Sequence, residues 1–186
     1  MGFFSSRHGG ETLKVLGIDP GSINTGYGIV GRGPNGSLIH ICDGAISPGA
    51  SLPIAERLLK VSEGLREVID EHKPDAVSIE SVFFAKNVKS AIILGQARGA
   101  ALLSAAQFGL PVFEYAPTAI KLAITGYGLS DKAQVQKMVK LLLKSAEGFK
   151  KADASDALAI AICHIHHCHE SVTAAKVRLA AASRPR

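Results

Sequence analysis

Tryptophan is absent from this chain and aromatic residues make up only 5% of it, so its core must be packed from aliphatic side chains. Cysteine is scarce. Cys42, Cys163 and Cys168 are odd in number and lack regular spacing, which argues against a disulfide framework and for reduced thiols in a reducing, cytoplasmic compartment. No apolar run approaches the ~20 residues that a membrane helix needs. Residues 1–12 are polar and bear Gly and Ser. They lack the apolar centre of a secretory signal and read as a flexible extension. Acidic residues are outnumbered, 16 against 21 Lys and Arg, for a net charge of +5. That excess suits a polyanionic partner, although a solvated basic face produces the same number.

What is present is enough for one ordinary domain: 186 residues, 47% of them hydrophobic. Leu13 to Ile18 is a short apolar run that ends in the turn signal Asp19-Pro20-Gly21, so a strand is expected there. Gly26 to Val30 and Ser37 to Ile46 read as a hairpin. The helical period over Ala55 to Glu71 leads to a strand at Asp75 to Ile79. A long helix follows over Val88 to Gln107, with the small residues Ala91, Gly95 and Gly99. Next come a strand at Pro111 to Tyr115, helices at Pro117 to Thr125 and Lys132 to Ser145, and a last helix from near Asp153 to His167. Strands joined by short turns pair antiparallel, and strand–helix–strand units pair parallel. The expected fold is α/β, a mixed five-stranded sheet flanked by helices over residues 13–169. Residues 170–186, rich in Ala and basic residues, read as a loose basic tail.

Four carboxylates stand at the edges of these elements: Asp19, Glu80, Asp153 and Asp156. Asp19 and Glu80 end two strands that should be parallel neighbours, at the edge where open α/β sheets bind ligands. Asp153 and Asp156 share a helical face by their i,i+3 spacing. Carboxylates beside apolar elements are costly unless something positive meets them. An all-oxygen set suits Mg²⁺ or Mn²⁺, and two such ions can support in-line attack on a phosphodiester. Each acid also has a plain structural reading: a turn residue at Asp19, a helix N-cap at Asp153 with Asp156 in the dipole-favoured first turn, a lysine partner for Glu80. Convergence of the four favours the metal site.

The motifs around these acids resemble the RuvC family of Holliday junction resolvases. They are Gly17-Ile18-Asp19-Pro20-Gly21-Ser22 with Thr25-Gly26-Tyr27-Gly28, and Ile79-Glu80-Ser81-Val82-Phe83-Phe84 with Leu94-Gly95-Gln96-Ala97-Arg98-Gly99. Val112-Phe113-Glu114-Tyr115-Ala116-Pro117, Gln134-Val135-Gln136-Lys137 and Ala152-Asp153-Ala154-Ser155-Asp156-Ala157 follow in the same order. The resemblance implies an RNase H-like fold and a homodimeric, Mg²⁺- or Mn²⁺-dependent endonuclease of recombination and repair. Such an enzyme nicks two strands of a four-way DNA junction symmetrically, leaves 5′-phosphate and 3′-hydroxyl ends, and works with the RuvA–RuvB branch-migration complex. It implies that Asp19, Glu80, Asp153 and Asp156 are the catalytic and metal-holding acids, with two ions per site. Ile23 departs from the pattern, standing where relatives often carry arginine.

For DNA contact, Phe83 falls where the family presents an aromatic ring to the junction, and a ring stacked on a base is worth ~1–3 kcal/mol. Phe84 beside it is a weaker candidate. Lys121 and Lys132 match basic residues near the family's active site, and lysines at such positions hold the phosphate and offset developing charge. Lys86, Lys89, Arg98 and Lys137 are further basic candidates that read equally well as solvated charges. The run Cys163-His164-Ile165-His166-His167-Cys168-His169 invites a zinc site. A structural zinc usually takes ligands from two elements, so a polar helix end is the plainer reading.

Two rival functions follow from the same residues. A nucleotide-binding ATPase or sugar-kinase relative would share the Asp19-Pro20-Gly21 loop but needs a second, similar half to enclose its nucleotide. A structured-nucleic-acid binding module that does not cut would have no use for four converging acids.

Overall fold

Strand β1 (Leu13–Asp19) alternates between two hydrophobic layers. Leu16 and Ile18 enter one layer and Val15 enters the other, as the two-residue period of a strand requires. A strand that is apolar on both faces must lie between packed layers. The computed structural model describes residues 13–21, 23–81, 87–145, 149 and 152–182, with side chains as far as Cys168.

After β1 come β2 (Thr25–Arg32), β3 (Leu38–Ile46), α1 (Ile54–His72), β4 (Ala76–Glu80), α2 (Val88–Gln107), β5 (Val112–Tyr115), α3 (Pro117–Thr125), α4 (Lys132–Leu142) and α5 (Ala152–Ala182). The sheet order is β3-β2-β1-β4-β5. β1 pairs antiparallel with β2, as β2 does with β3, while β1–β4 and β4–β5 are parallel. This is the mixed sheet that the order of elements predicts.

Helices α1 and α2 cover one face. Val61, Leu65, Val68 and Ile69 of α1 lie on a single stripe and pack on Leu16, Ile18, Ile29, Val77 and Ile79. Each such aliphatic side chain contributes ~1.5–3 kcal/mol when fully buried. α1 stops where Lys73 turns left-handed (φ 49°) and donates its N–H to the Ile69 carbonyl, ahead of Pro74.

Helix α5 covers the other face and is itself roofed by α3 and α4. Its residues Ala157 to Ile162 are therefore buried all round. The sheet has little side chain where α5 crosses. A Cβ added to Gly17 would lie 2.0 Å from the Ala157 carbonyl oxygen, and one on Gly26 would lie 2.2 Å from that of Asp153. Helix backbone thus rests directly on sheet backbone, which fixes the height of the start of α5 above the ends of β1 and β2.

Two helix ends differ from expectation. α4 stops at Leu142 rather than Ser145, because Lys144 adopts a left-handed conformation (φ 53°). α5 continues past His167 to Ala182, into the segment expected to be loose. That stretch is rich in Ala, the strongest helix former, with no Gly or Pro before Pro185.

Candidate metal centre at the sheet edge

Asp19 is the last residue of β1 and has the parity of Val15 and Gly17, so it faces α5. Glu80 ends β4. On that strand Ser78 donates its hydroxyl to the Ile160 carbonyl of α5 at 3.2 Å, which turns every second residue, Glu80 included, toward the same helix. Ile18 pairs with Ile79 in the parallel register, so Asp19 and Glu80 leave neighbouring strand ends side by side. α5 brings Asp153 and Asp156 down in its first turns. One carboxylate oxygen each from Asp19, Asp153 and Asp156 lies within 4.8 Å of the others. Glu80 joins Asp19 and Asp156 in the wall of a cavity of about 290 Å³ that Lys121 and Lys132 also line.

The electrostatics reflect this crowding. Burial, then the charges of Asp156, Glu80 and Asp153, push the Asp19 carboxyl up to about 7, and Lys132 opposes them. Burial and then Asp156 raise Glu80, while Lys121 and Lys132 pull it back. Like charges held this close favour protonation of one of them unless a cation enters. Lys132 supplies one positive charge, with its ammonium 2.5 Å from Asp156 Oδ2, and that hydrogen bond is the main cause of its own raised pKa. Its position comes from the start of α4. Asp131 accepts from the Gln134 N–H at 2.8 Å while the Gln134 side chain accepts from the Asp131 N–H at 3.0 Å, a capping box that begins the helix one residue before Lys132.

The donor set is all oxygen, and the carboxylates repel each other without a counter-charge. These are the conditions for a hard divalent cation such as Mg²⁺ or Mn²⁺, not for a soft metal. The four acids read from the sequence therefore meet at one place, with Lys121 and Lys132 beside them.

Among the described residues, the other basic candidates Arg98, Lys89 and Lys137 do not join them. Arg98 leaves α2 for Glu114 of β5, with Nη2 2.6 Å from Oε2. Glu114 has the parity opposite to Phe113 and Tyr115, which face α5, so this ion pair lies on the far face of the sheet. Lys89 is exposed in the first turn of α2, where its backbone N–H donates to the capping Asn87 side chain at 2.8 Å. Lys137 is exposed on α4. Phe83, Phe84 and Lys86 lie outside the described residues.

The Cys/His run is not a polar helix end, since α5 runs on beyond it. Cys163 and His164 are buried. His164 Nδ1 lies 2.8 Å from the Tyr115 hydroxyl, Nε2 lies 3.3 Å from Cys168 Sγ, and the ring packs on Phe113 with centroids 4.2 Å apart. Burial and His167 lower its pKa to about 4, so it is a neutral core residue. Among the described residues, a cluster of three or more potential metal ligands forms at Asp19, Asp153 and Asp156 and not here.

Sequence reasoning overlooked the glycines that build the site. Gly17 of β1 and Gly26 and Gly28 of β2 lie on the face that meets α5, with Gly17 paired to Gly28 across the two strands, and the alternate spacing of Gly26 and Gly28 is legible in the sequence.

Comparison with known proteins is consistent with this geometry. A family model described as "Crossover junction endodeoxyribonuclease RuvC" matches residues 15–164. The protein of that name from Chloroflexus aggregans is 49% identical over 155 residues, 83% of this chain and 93% of that protein. The one from a Geobacter species is 49% identical over 166 residues, 89% of this chain and all of that protein. Thermus thermophilus RuvC, in a structure described as a complex with Holliday junction substrate, has a TM-score of 0.80 at 31% identity, covering 86% of this chain and 96% of that one.

Proposed function

Because this chain belongs to the RuvC family of crossover junction endodeoxyribonucleases, we propose that it resolves four-way DNA junctions by hydrolysis at the Asp19, Glu80, Asp153 and Asp156 cluster, nicking two strands symmetrically. Its fold is RNase H-like, as in RuvC. The observation that carries the assignment of the site is the meeting of carboxylates from β1, β4 and α5 at one sheet edge, with a lysine from α4 on Asp156.

The same four carboxylates would hold the divalent cations, Mg²⁺ or Mn²⁺, two per site. Bound there, the ions supply Lewis acidity at the phosphodiester and make a water a better nucleophile near neutral pH. The protein's own groups do the rest. The carboxylate nearest the incoming water would orient it and accept its proton. Lys121 and Lys132 hold a non-bridging phosphate oxygen and offset the charge that develops on it. Cleavage of the P–O3′ bond leaves 5′-phosphate and 3′-hydroxyl ends. Phe83, in the segment after Glu80, would stack on an unpaired junction base. Lys86 and Lys89 would meet backbone phosphates further out, where each contact adds affinity that falls with salt.

Two symmetric cuts need two sites, which supports a homodimer. α2 offers a surface for it. Its buried side is Ala97, Ala101, Ser104 and Ala105. Val88, Ile92 and Leu103, on the opposite stripe with Gly95 and Gly99, are 77%, 57% and 58% exposed. Cooperation with the RuvA–RuvB complex and action in the cytoplasm rest on family membership. Among the described residues no helix is long and apolar enough to cross a membrane.

The test is cleavage of a synthetic mobile four-way junction with and without Mg²⁺ or Mn²⁺, beside Asp19→Asn. Paired nicks that need metal and vanish in the variant support the reading. Junction binding without metal-dependent product would favour the non-cutting module instead.

A further inference from the structure

The two cations of the site, Lys121 and Lys132, stand on different helices joined by one short turn. α3 ends where Gly126 turns left-handed (φ 77°) and donates its N–H to the Leu122 carbonyl. The turn that follows is not held by apolar packing of its tip, since Tyr127 and Leu129 are 60% and 74% exposed. It is gathered around a single hydroxyl. Thr125 Oγ1 lies 2.8 Å from the Lys121 carbonyl, 2.7 Å from Ser130 Oγ, 3.1 Å from the Tyr127 N–H and 3.0 Å from the Tyr127 carbonyl. One assignment satisfies a hydroxyl's single proton and two lone pairs. Thr125 donates to the Lys121 carbonyl and accepts from Tyr127 N–H and from Ser130 O–H. Ser130 is buried and closes the turn with its own N–H on the Tyr127 carbonyl at 3.2 Å. Asp131 and Lys132 come next, and the Lys132 ammonium reaches Asp156.

We propose that Thr125 is a positioning residue for strand cleavage, its hydroxyl locking the α3–α4 turn so that Lys132 is delivered to Asp156 and the scissile phosphate. The inference rests on the reading of Lys132 as a phosphate-holding cation. Since Thr125 bonds the backbone of Lys121 at one end and the residue before the α4 cap at the other, it sets the spacing between the two lysines. A small displacement of a group that contacts the reacting phosphate lowers the rate more than it lowers binding, because junction affinity is spread over many phosphate contacts.

The experiment compares Thr125→Val, which keeps the shape and removes the hydrogen bonds, with Thr125→Ser, which keeps the hydroxyl. The single-turnover cleavage rate of a mobile four-way junction is read in saturating Mg²⁺, and junction Kd is read in EDTA. Thr125→Val should cleave about tenfold slower with Kd within about twofold of wild type, and Thr125→Ser should restore the rate. On a Lys132→Met background, Thr125→Val should bring no further loss, since both act through one group. An unchanged rate in Thr125→Val, a loss that adds to that of Lys132→Met, or a Thr125→Ser variant as slow as Thr125→Val would each overturn the proposal. If Thr125→Val is too unstable to assay, Ser130→Ala must show the slowed rate at wild-type affinity, or the proposal fails. Normal cleavage by Lys132→Met would overturn the reading of Lys132, and the positioning role with it. Slow Lys132→Met beside normal Thr125→Val would remove the positioning role alone.

Discussion

Lys132 Nζ lies 2.5 Å from Asp156 Oδ2, so one carboxylate of the cluster is already paired with a cation. The lysine therefore plays two opposed parts. It competes with an incoming metal for Asp156, and it stabilises charge that develops on the phosphate. Lys132→Met should bind Mn²⁺ more tightly at pH 8 and yet cleave junctions ~10²–10³-fold more slowly. Titration calorimetry without DNA, set beside single-turnover cleavage, separates the two effects. Weaker Mn²⁺ binding in the variant would show that the lysine supports the metal site rather than competing with it.

Asp19 gives a stability prediction with a definite sign. Its carboxyl is raised from 3.8 to about 7, so between those values the folded protein holds a proton that the unfolded chain has released. Raising the pH through that window costs folding free energy, and above about 7 the whole cost is present. In EDTA, Asp19→Asn should be more stable than wild type by ~1–3 kcal/mol at pH 8, and the difference should vanish toward pH 4. Urea unfolding at several pH values measures it. A variant that is less stable at pH 8 would mean that the crowding around Asp19 is relieved in solution.

Gly17 tests how the site is assembled. A side chain there meets helix backbone, with the Ala157 carbonyl oxygen 2.0 Å and the Ala161 nitrogen 2.8 Å from the added Cβ, and neither atom can move without lifting α5. Gly17→Ala should cost about 3 kcal/mol, and its folded fraction should cleave poorly because Asp153 and Asp156 rise away from Asp19. Thermal unfolding reads the first effect, and metal-dependent junction cleavage normalised to the folded fraction reads the second. A variant as stable and active as wild type would show that β1 and α5 are not in backbone contact.

Most of the sheet edge was legible because strand ends and turn chemistry are local. Asp19-Pro20-Gly21 marks a strand end wherever it lies, and parallel pairing of the first and fourth strands follows from the crossover between them. What was not legible depends on which face a side chain takes after packing. Arg98 read as a DNA contact, but the alternation of β5 turns Glu114 toward α2 and the pair forms there. His164 read as part of a polar helix end, but α3 and β5 close over that turn of α5, and burial rather than the helix dipole sets its charge. The Thr125 hydrogen bonds depend on a left-handed Gly126 that sequence can suggest but whose partners it cannot name.

His164 should remain neutral through the mildly acidic range. With its pKa lowered from 6.5 to about 4, the folded state binds fewer protons than the unfolded chain between those values. The stability it confers is present above pH 6.5 and is lost as the pH falls toward 4. Imidazole nitrogen shifts in an NMR titration should show this ring still unprotonated at pH 5.5 while exposed histidines have titrated. A midpoint above 6 would mean that the ring is not enclosed by Phe113, Tyr115 and Cys168.

The exposed stripe of α2 makes the dimer testable apart from folding. Ile92 is 57% exposed and lies on the side of α2 opposite its buried residues, so Ile92→Asp should leave the unfolding midpoint almost unchanged, as surface substitutions do. If that stripe meets a second copy, the new charge is buried against apolar surface and the dimer dissociates. Light scattering should then report a monomer, and supercoiled cruciform plasmid should yield nicked circles rather than linear product, because the two cuts no longer fall within one complex. A dimeric Ile92→Asp that still linearises the plasmid would move the interface to another face of the molecule.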